Sequence, residues 1–257
     1  MPFSPIEQKP TFTKRKLEFL NLVPGNSVIR ILDEDYVAVE SHFLGKVYIV
    51  CLGEDCPVCK NNRKIIMENP ENFRDISGYS PRSTRFYLNV MDKTLARICP
   101  QCGTEVKQDV PTCKCGTIIM NVEKKPLNKV KILSKGKQLF GQLIALENTV
   151  VDEKGNRRGL TNFDITLVTA GTGKTATCAP IFTGNLGTAI PVTEYEKFDL
   201  NKAIVRLNEE ELHDLQMGVS LTDIFKARSI TAEKDPVAPT SESLAGAVES
   251  AMKLFEQ

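Results

Sequence analysis

No apolar run in this chain approaches the roughly 18 residues that a membrane-spanning helix needs. The opening residues, Met1-Pro2-Phe3-Ser4-Pro5, lack the basic start and apolar stretch of a secretory signal. No internal repeat of solenoid length is present, which removes stacked-repeat architectures. Net charge is also scarce, at +1 over 257 residues, and alone it predicts no polyanionic partner. These absences lead us to expect no membrane partner and a reducing, cytoplasmic setting. There, eight cysteines read as metal ligands rather than disulfides.

Seven of those cysteines and one of the two histidines fall into two clusters. The first is His42, Cys51, Cys56 and Cys59, ending in Cys-Pro-Val-Cys. The second is Cys99-Pro-Gln-Cys102 followed by Cys113-Lys-Cys115, with Gly103 and Gly116 next to the pairs. Each cluster offers the four borderline or soft donors that tetrahedral Zn²⁺ takes, which predicts two structural zinc ions. Closed four-ligand sites leave no position for a reactive water, so the expectation is a binding protein and not an enzyme. The Cys56–Cys59 pair has a redox reading as well, but no thioredoxin-like βαβ pattern surrounds it. Cys178 shares strand parity with Ala176 and Phe182 and reads as a small core hydrophobe.

Along the chain, residues 1–22 read as a basic arm, 23–232 as a core with a ribbon insert at 98–117, and 233–257 as a flexible acidic tail. Strands are expected over 26–33, 46–51, 83–92, 129–133, 162–168 and 175–183, and helices over 56–68, 138–146 and 208–217. In the tail, Leu244, Val248, Ala251 and Phe255 share one helical stripe. The predicted fold class is mainly β with helices (α+β): a small β-barrel of the oligonucleotide-binding (OB) type, with inserted zinc-binding loops and peripheral helices. The loop Ala170-Gly171-Thr172-Gly173-Lys174-Thr175 invites a phosphate-loop reading. However, the required earlier glycine is Val168, and no helix follows the loop.

Charge is uneven although its sum is small. From Arg82 to Lys137 there are 12 Lys+Arg against 4 Asp+Glu, and from Glu233 to Gln257 there are 5 acidic residues against 2 basic. Strand parity places Arg85 and Tyr87 opposite Phe86, Leu88 and Val90. Tyr48, Arg30, Lys129 and Lys131 likewise alternate with aliphatic residues. Lys60, Arg63 and Lys64 add charge on the helix after the first cluster. A cationic trough with interleaved tyrosines holds single-stranded nucleic acid. The expectation is that Tyr48 and Tyr87 stack bases while the cations meet phosphates. A ribbon-type transcription factor on duplex DNA or polymerase is the alternative, and a nucleotide hydrolase is a third class.

The runs Val28 to Leu32, Tyr48 to Cys51, Cys56-Pro-Val-Cys59-Lys60 and Arg85-Phe86-Tyr87-Leu88-Asn89-Val90, together with His42, resemble the single-stranded-DNA-binding proteins typified by the T-even phages. The resemblance spans roughly residues 14–200 and is strongest over 26–92. It implies an OB fold whose zinc is held by one His and three Cys, here His42, Cys51, Cys56 and Cys59. It implies cooperative self-association through a basic arm, here Lys14, Arg15 and Lys16, although Leu17 stands where hydroxyl residues are expected. It also implies a tail that recruits replication and recombination proteins. The insert at Cys99 to Cys115 departs from that pattern and is similar in concept to the ribbon in replication protein A.

Overall fold

The computed structural model describes residues 16–44, 46–106, 110–119, 122–151, 154–172, 176–182 and 195–232. Lys14, Arg15, Lys174 and the 233–257 tail lie outside them.

β-branched and aromatic residues, alternating with polar ones in β4, make strands β1 (Gly25–Ile31), β2 (Val37–Leu44), β3 (Val47–Val50) and β4 (Ser83–Asp92). Helix α1 (Pro57–Glu68) opens on a proline, whose missing N–H costs nothing in a first turn. The insert contributes the short strands β5 (Leu95–Ile98), β6 (Glu105–Val106) and β7 (Lys124–Pro126). Then come β8 (Lys129–Gly136), α2 (Lys137–Thr149), β9 (Asp164–Ala170) and β10 (Thr177–Phe182). Last are α3 (Glu209–Gln216) and α4 (Leu221–Ala232). In α3 the Asn208 side chain accepts from the Glu211 N–H and Glu211 reaches back to Asn208, the reciprocal cap its sequence implied.

The main sheet is antiparallel, in the order β10-β9-β1-β4-β2-β3, with β8 on the remaining side of β4. Together with the helices it makes an α+β fold. Among the described residues the path ends at β10 and β3, so these pairings close no barrel. β4 is the hub. Its first half pairs with β2 (Val37↔Tyr87), its last residues pair with β1 (Ile31↔Val90), and β8 runs along its other edge.

Both faces of β4 are buried, contrary to the one-sided expectation. On the first face Leu88 and Val90 meet Ile29, Ile31, Leu133, Ile165 and Leu167, capped by Leu139, Phe140 and Leu143 of α2. Cys178 packs half-buried against this core, as its parity implied. On the second face Tyr87 and Met91 meet Val130, Ile132, Phe198, Leu200 and Ile204.

Two segments close that second face. The end of the expected arm binds β8 through Leu20 N–H to Ile132 O (2.8 Å) and Ile132 N–H to Glu18 O (2.7 Å). The Asn89 side chain accepts from the Phe198 N–H (2.9 Å) and donates to Phe198 O (3.1 Å), fastening the 195–205 segment. Tyr87 is therefore only 4% exposed. Truncation to Ala is expected to cost the fold about 3–5 kcal/mol through the cavity left behind. A denaturant midpoint matching the parent's would remove Tyr87 from the core.

β2 and α4 were not expected. The alternation in β2 is masked by polar Glu40, Ser41 and His42 at its centre. α4 carried a legible start, since Ser220 Oγ accepts from the Asp223 N–H. Its Leu221, Ile224 and Phe225 join Val47, Ile49, Val58 and Leu212 in a third core.

Candidate metal centres and nucleic-acid interface

The first cluster gathers donors from three elements. His42 lies in β2, Cys51 follows β3, Cys56 caps α1 and Cys59 sits in its first turn. A tetrahedral metal with bonds of about 2.3 Å holds its donors about 3.8 Å apart. Here Cys51 Sγ and Cys59 Sγ are 3.6 Å apart, and Cys59 Sγ and His42 Nε2 are 3.4 Å apart. All four donors lie within 4.8 Å of one another. The set fits a bound metal ion.

The histidine is oriented from behind. Its Nδ1–H donates to Ser80 O at 2.8 Å, which leaves Nε2 as the lone-pair donor beside Cys59. Ser80 is itself fixed by Asn62 of α1. Asn62 Nδ2 donates to Ser80 O (2.6 Å), and Asn62 Oδ1 accepts from the Ser80 N–H (3.0 Å). Neither Ser80 nor Asn62 was legible from ligand spacing. Burial, assisted by Arg82, lowers the His42 pKa and so favours the neutral ligand form. Burial opposes ionisation of Cys56, yet the backbone N–H groups of Cys59, Leu52 and Val58 bring its thiol below the ordinary value. Cys59 is pushed up to about 12 by burial and by Cys51. A metal at this site would hold both as thiolates.

The second cluster is built from two matching loops. Cys99 N–H donates to Thr104 O (2.9 Å) and Gly103 N–H to Cys99 O (2.9 Å). Cys113 N–H donates to Thr117 O (2.8 Å) and Gly116 N–H to Cys113 O (2.8 Å). Gly103 at φ 68° and Gly116 at φ 88° take the left-handed conformation that lets each loop double back. Cys99 Sγ meets Cys115 Sγ at 3.6 Å and Cys102 Sγ meets Cys113 Sγ at 3.4 Å. The Thr117 hydroxyl and N–H draw Cys115 down to about 6. This set, too, fits a four-ligand metal ion.

The expected cationic trough is redistributed by the fold. Arg30 is 1% exposed and its Nε donates to Asp164 at 2.6 Å, so it is a buried ion-pair partner and not a surface cation. Tyr87 lies in the second core. Paired residues share a face, and Val90↔Lys131 and Asp92↔Lys129 place both lysines opposite Arg85 and Tyr87. Lys131 is also bound to Asp92 at 2.8 Å. Lys60, Arg63 and Lys64 are exposed on α1, which packs on Val47 and Ile49, across the β2–β3 hairpin from Tyr48. Lys16 is exposed at the start of the described arm.

What the fold does bring together is smaller and more aromatic. Arg85 stacks its guanidinium 3.7 Å from the centre of the Tyr48 ring, and its Nη2 donates to Ser134 O at 3.1 Å. Burial pulls the Arg85 pKa down, opposed by Tyr48 and Tyr87. Phe43, paired with Tyr48, places its ring 5.0 Å away at 50°. Half-buried Val37, Val39 and Val50 extend this face, and exposed Lys46 and Arg206 lie at its margins. Phe43 and Arg206 went unread. Phe43 belongs to the unexpected strand β2, and Arg206 approaches Tyr87 only through tertiary folding.

Among the described residues no helix is long and apolar enough to cross a membrane. No family model and no curated protein matches the chain.

Proposed function

We propose that this chain binds single-stranded DNA, coats exposed strands during replication or recombination, and performs no chemistry. The core is of OB type, and two Zn²⁺ ions occupy the two clusters in structural roles. The supporting observation is the Arg85–Tyr48 stack beside the partly exposed Phe43, on a sheet face that also carries half-buried Val37, Val39 and Val50. Unpaired bases stack on such rings whatever their sequence, and nearby cations meet the phosphates. Duplex DNA keeps its base faces stacked inside and cannot use them. The His-Cys₃ and Cys₄ donor sets are those of structural zinc; the first lies beside this face, His42 being the chain neighbour of Phe43 in β2. Lys14, Arg15 and Lys16 serve self-association on the strand, and the 233–257 tail recruits replication and recombination proteins.

Metal analysis is expected to find two zinc ions per chain. Labelled oligo-dT is expected to bind at low ionic strength, to be displaced by poly-dT, and to resist displacement by duplex. The affinity should fall with salt, and Arg206→Gln should flatten the slope of log K against log salt by about 0.7, the share of one phosphate contact. Equal competition by duplex, or an affinity indifferent to salt, sinks the proposal.

A further inference from the structure

We infer that the cleft between the 33–36 loop and α2 receives a basic segment of a partner protein. One apolar side chain of that segment seats in the cleft, and its Lys or Arg neighbours meet the acidic rim. The site is separate from the face proposed for nucleic acid and goes beyond that reading. The cleft encloses about 290 Å³. That is at the small end of the roughly 300–1,000 Å³ of ligand pockets and suits a large side chain better than a cofactor. Its floor is the buried trio Ile31, Leu88 and Leu143. Phe140, Ile144 and Glu147 line one wall, because residues three and four apart share a face of α2. Tyr36 adds an aromatic edge, its ring braced by Phe86 (5.4 Å, 65°) and Phe140 (5.7 Å, 69°). Even so, Tyr36 is 51% exposed and Ile144 45% exposed. Water wets apolar surface here that a partner's side chain would cover.

Charge identifies the partner. A second, more open cleft adjoins the first, and the two share Asp33 and Glu34. Among the described residues, five carboxylates line the pair: Asp33, Glu34, Asp35, Glu147 and Asp199. The single cation among them is Lys197, already held by Asp33 at 3.0 Å and by Leu32 O at 2.7 Å. Glu34 and Asp35 are exposed and enter no ion pair among the described residues. Glu147 is half-buried and accepts from the Leu160 N–H at 3.4 Å, with no cation against it. In a chain of net charge +1 this is a marked local excess of negative charge. It repels phosphates, which excludes a nucleic acid here, and it draws in Lys and Arg. An apolar anchor flanked by cations therefore matches both the floor and the rim.

The probe is a fluorescein-labelled peptide, Lys-Lys-Phe-Lys-Lys, titrated with the full chain at low ionic strength. Its anisotropy is expected to rise saturably, and the Glu-Glu-Phe-Glu-Glu peptide is expected not to bind. Ile144→Lys places a cation in the seat and should weaken the basic peptide at least about tenfold. Glu34→Gln combined with Asp35→Asn should weaken it and flatten its dependence on salt. These three side chains are exposed, so both variants should keep the parent's denaturant midpoint and its affinity for oligo-dT. Parental peptide affinity in Ile144→Lys, equal binding of the acidic peptide, or no saturation up to about 1 mM peptide each overturns the inference. Tighter peptide binding by full-length Lys14→Glu, Arg15→Glu protein would give the cleft to the chain's own arm and overturn it too.

Discussion

Stripping the metal from the Cys99–Cys102–Cys113–Cys115 cluster is expected to unfold the insert and leave the seven-stranded sheet intact. The insert has almost nothing else to hold it. Its described core is Cys99, Val106, Cys113 and Ile119, and two of these are the ligands themselves. Val106 and Ile119 contribute about 1.5–3 kcal/mol each by burial. Metal binding by comparable small structural sites releases about 10–16 kcal/mol. Its strands are short, β5 meeting β6 over two residue pairs and β7 over three. Hydrogen exchange after chelation should show lost protection at the Cys99 and Cys113 amides, while β4 and β8 stay protected. The His42 cluster should respond differently. Its elements also pack through Val47, Ile49, Val58 and Leu212, which remain in place without a metal. Persistent protection of the two cysteine amides in metal-free protein would show that the loops fold unaided.

Replacing Asp164 with Ala should destabilise the main sheet by about 3–5 kcal/mol, the cost of breaking a buried ion pair by removing one partner. Asp164 bonds Arg30 through Oδ1 (2.6 Å) and Lys93 through Oδ2 (2.5 Å). The Arg30 side chain is 2% exposed and the Lys93 side chain 27% exposed. Without the carboxylate that β9 supplies, Arg30 of β1 and Lys93 just after β4 lose their shared counter-charge, and Arg30 cannot swing out to water. Lys93 can, which makes Arg30 the costly member. The variant should show a lower denaturant midpoint with an unchanged slope. A loss below about 1 kcal/mol would place Asp164 among pairs whose attraction is screened by solvent.

Local signals carried far where local physics decides. The cysteine spacings announced both four-donor clusters, and the adjacent Gly103 and Gly116 marked the second, whose two loops are only a few residues long. The capping box at Asn208 and Glu211 located α3, and the alternation from Ser83 to Asp92 located β4. His42 was legible as a candidate ligand although its strand was not, because the polar centre of β2 hides its period. The face proposed for binding was legible only in part. Tyr48 and Arg85 meet as parity suggested, but Phe43 enters with β2, and Arg206 comes from far along the chain.

Composition and pattern alone determined an α+β chain with two four-donor clusters and strands of known facing. Period two states which side chains share a side; it does not state what covers that side. Tertiary packing decided that residues 17–20 and 195–205 fold over β4 and β8, burying Tyr87, and that Arg30 meets Asp164 of β9 in the interior. The register of β8 against β4 then sent Lys129 and Lys131 to the opposite face. These contacts join residues distant along the chain, and their energy comes from surfaces removed from water together, which no local window of sequence contains.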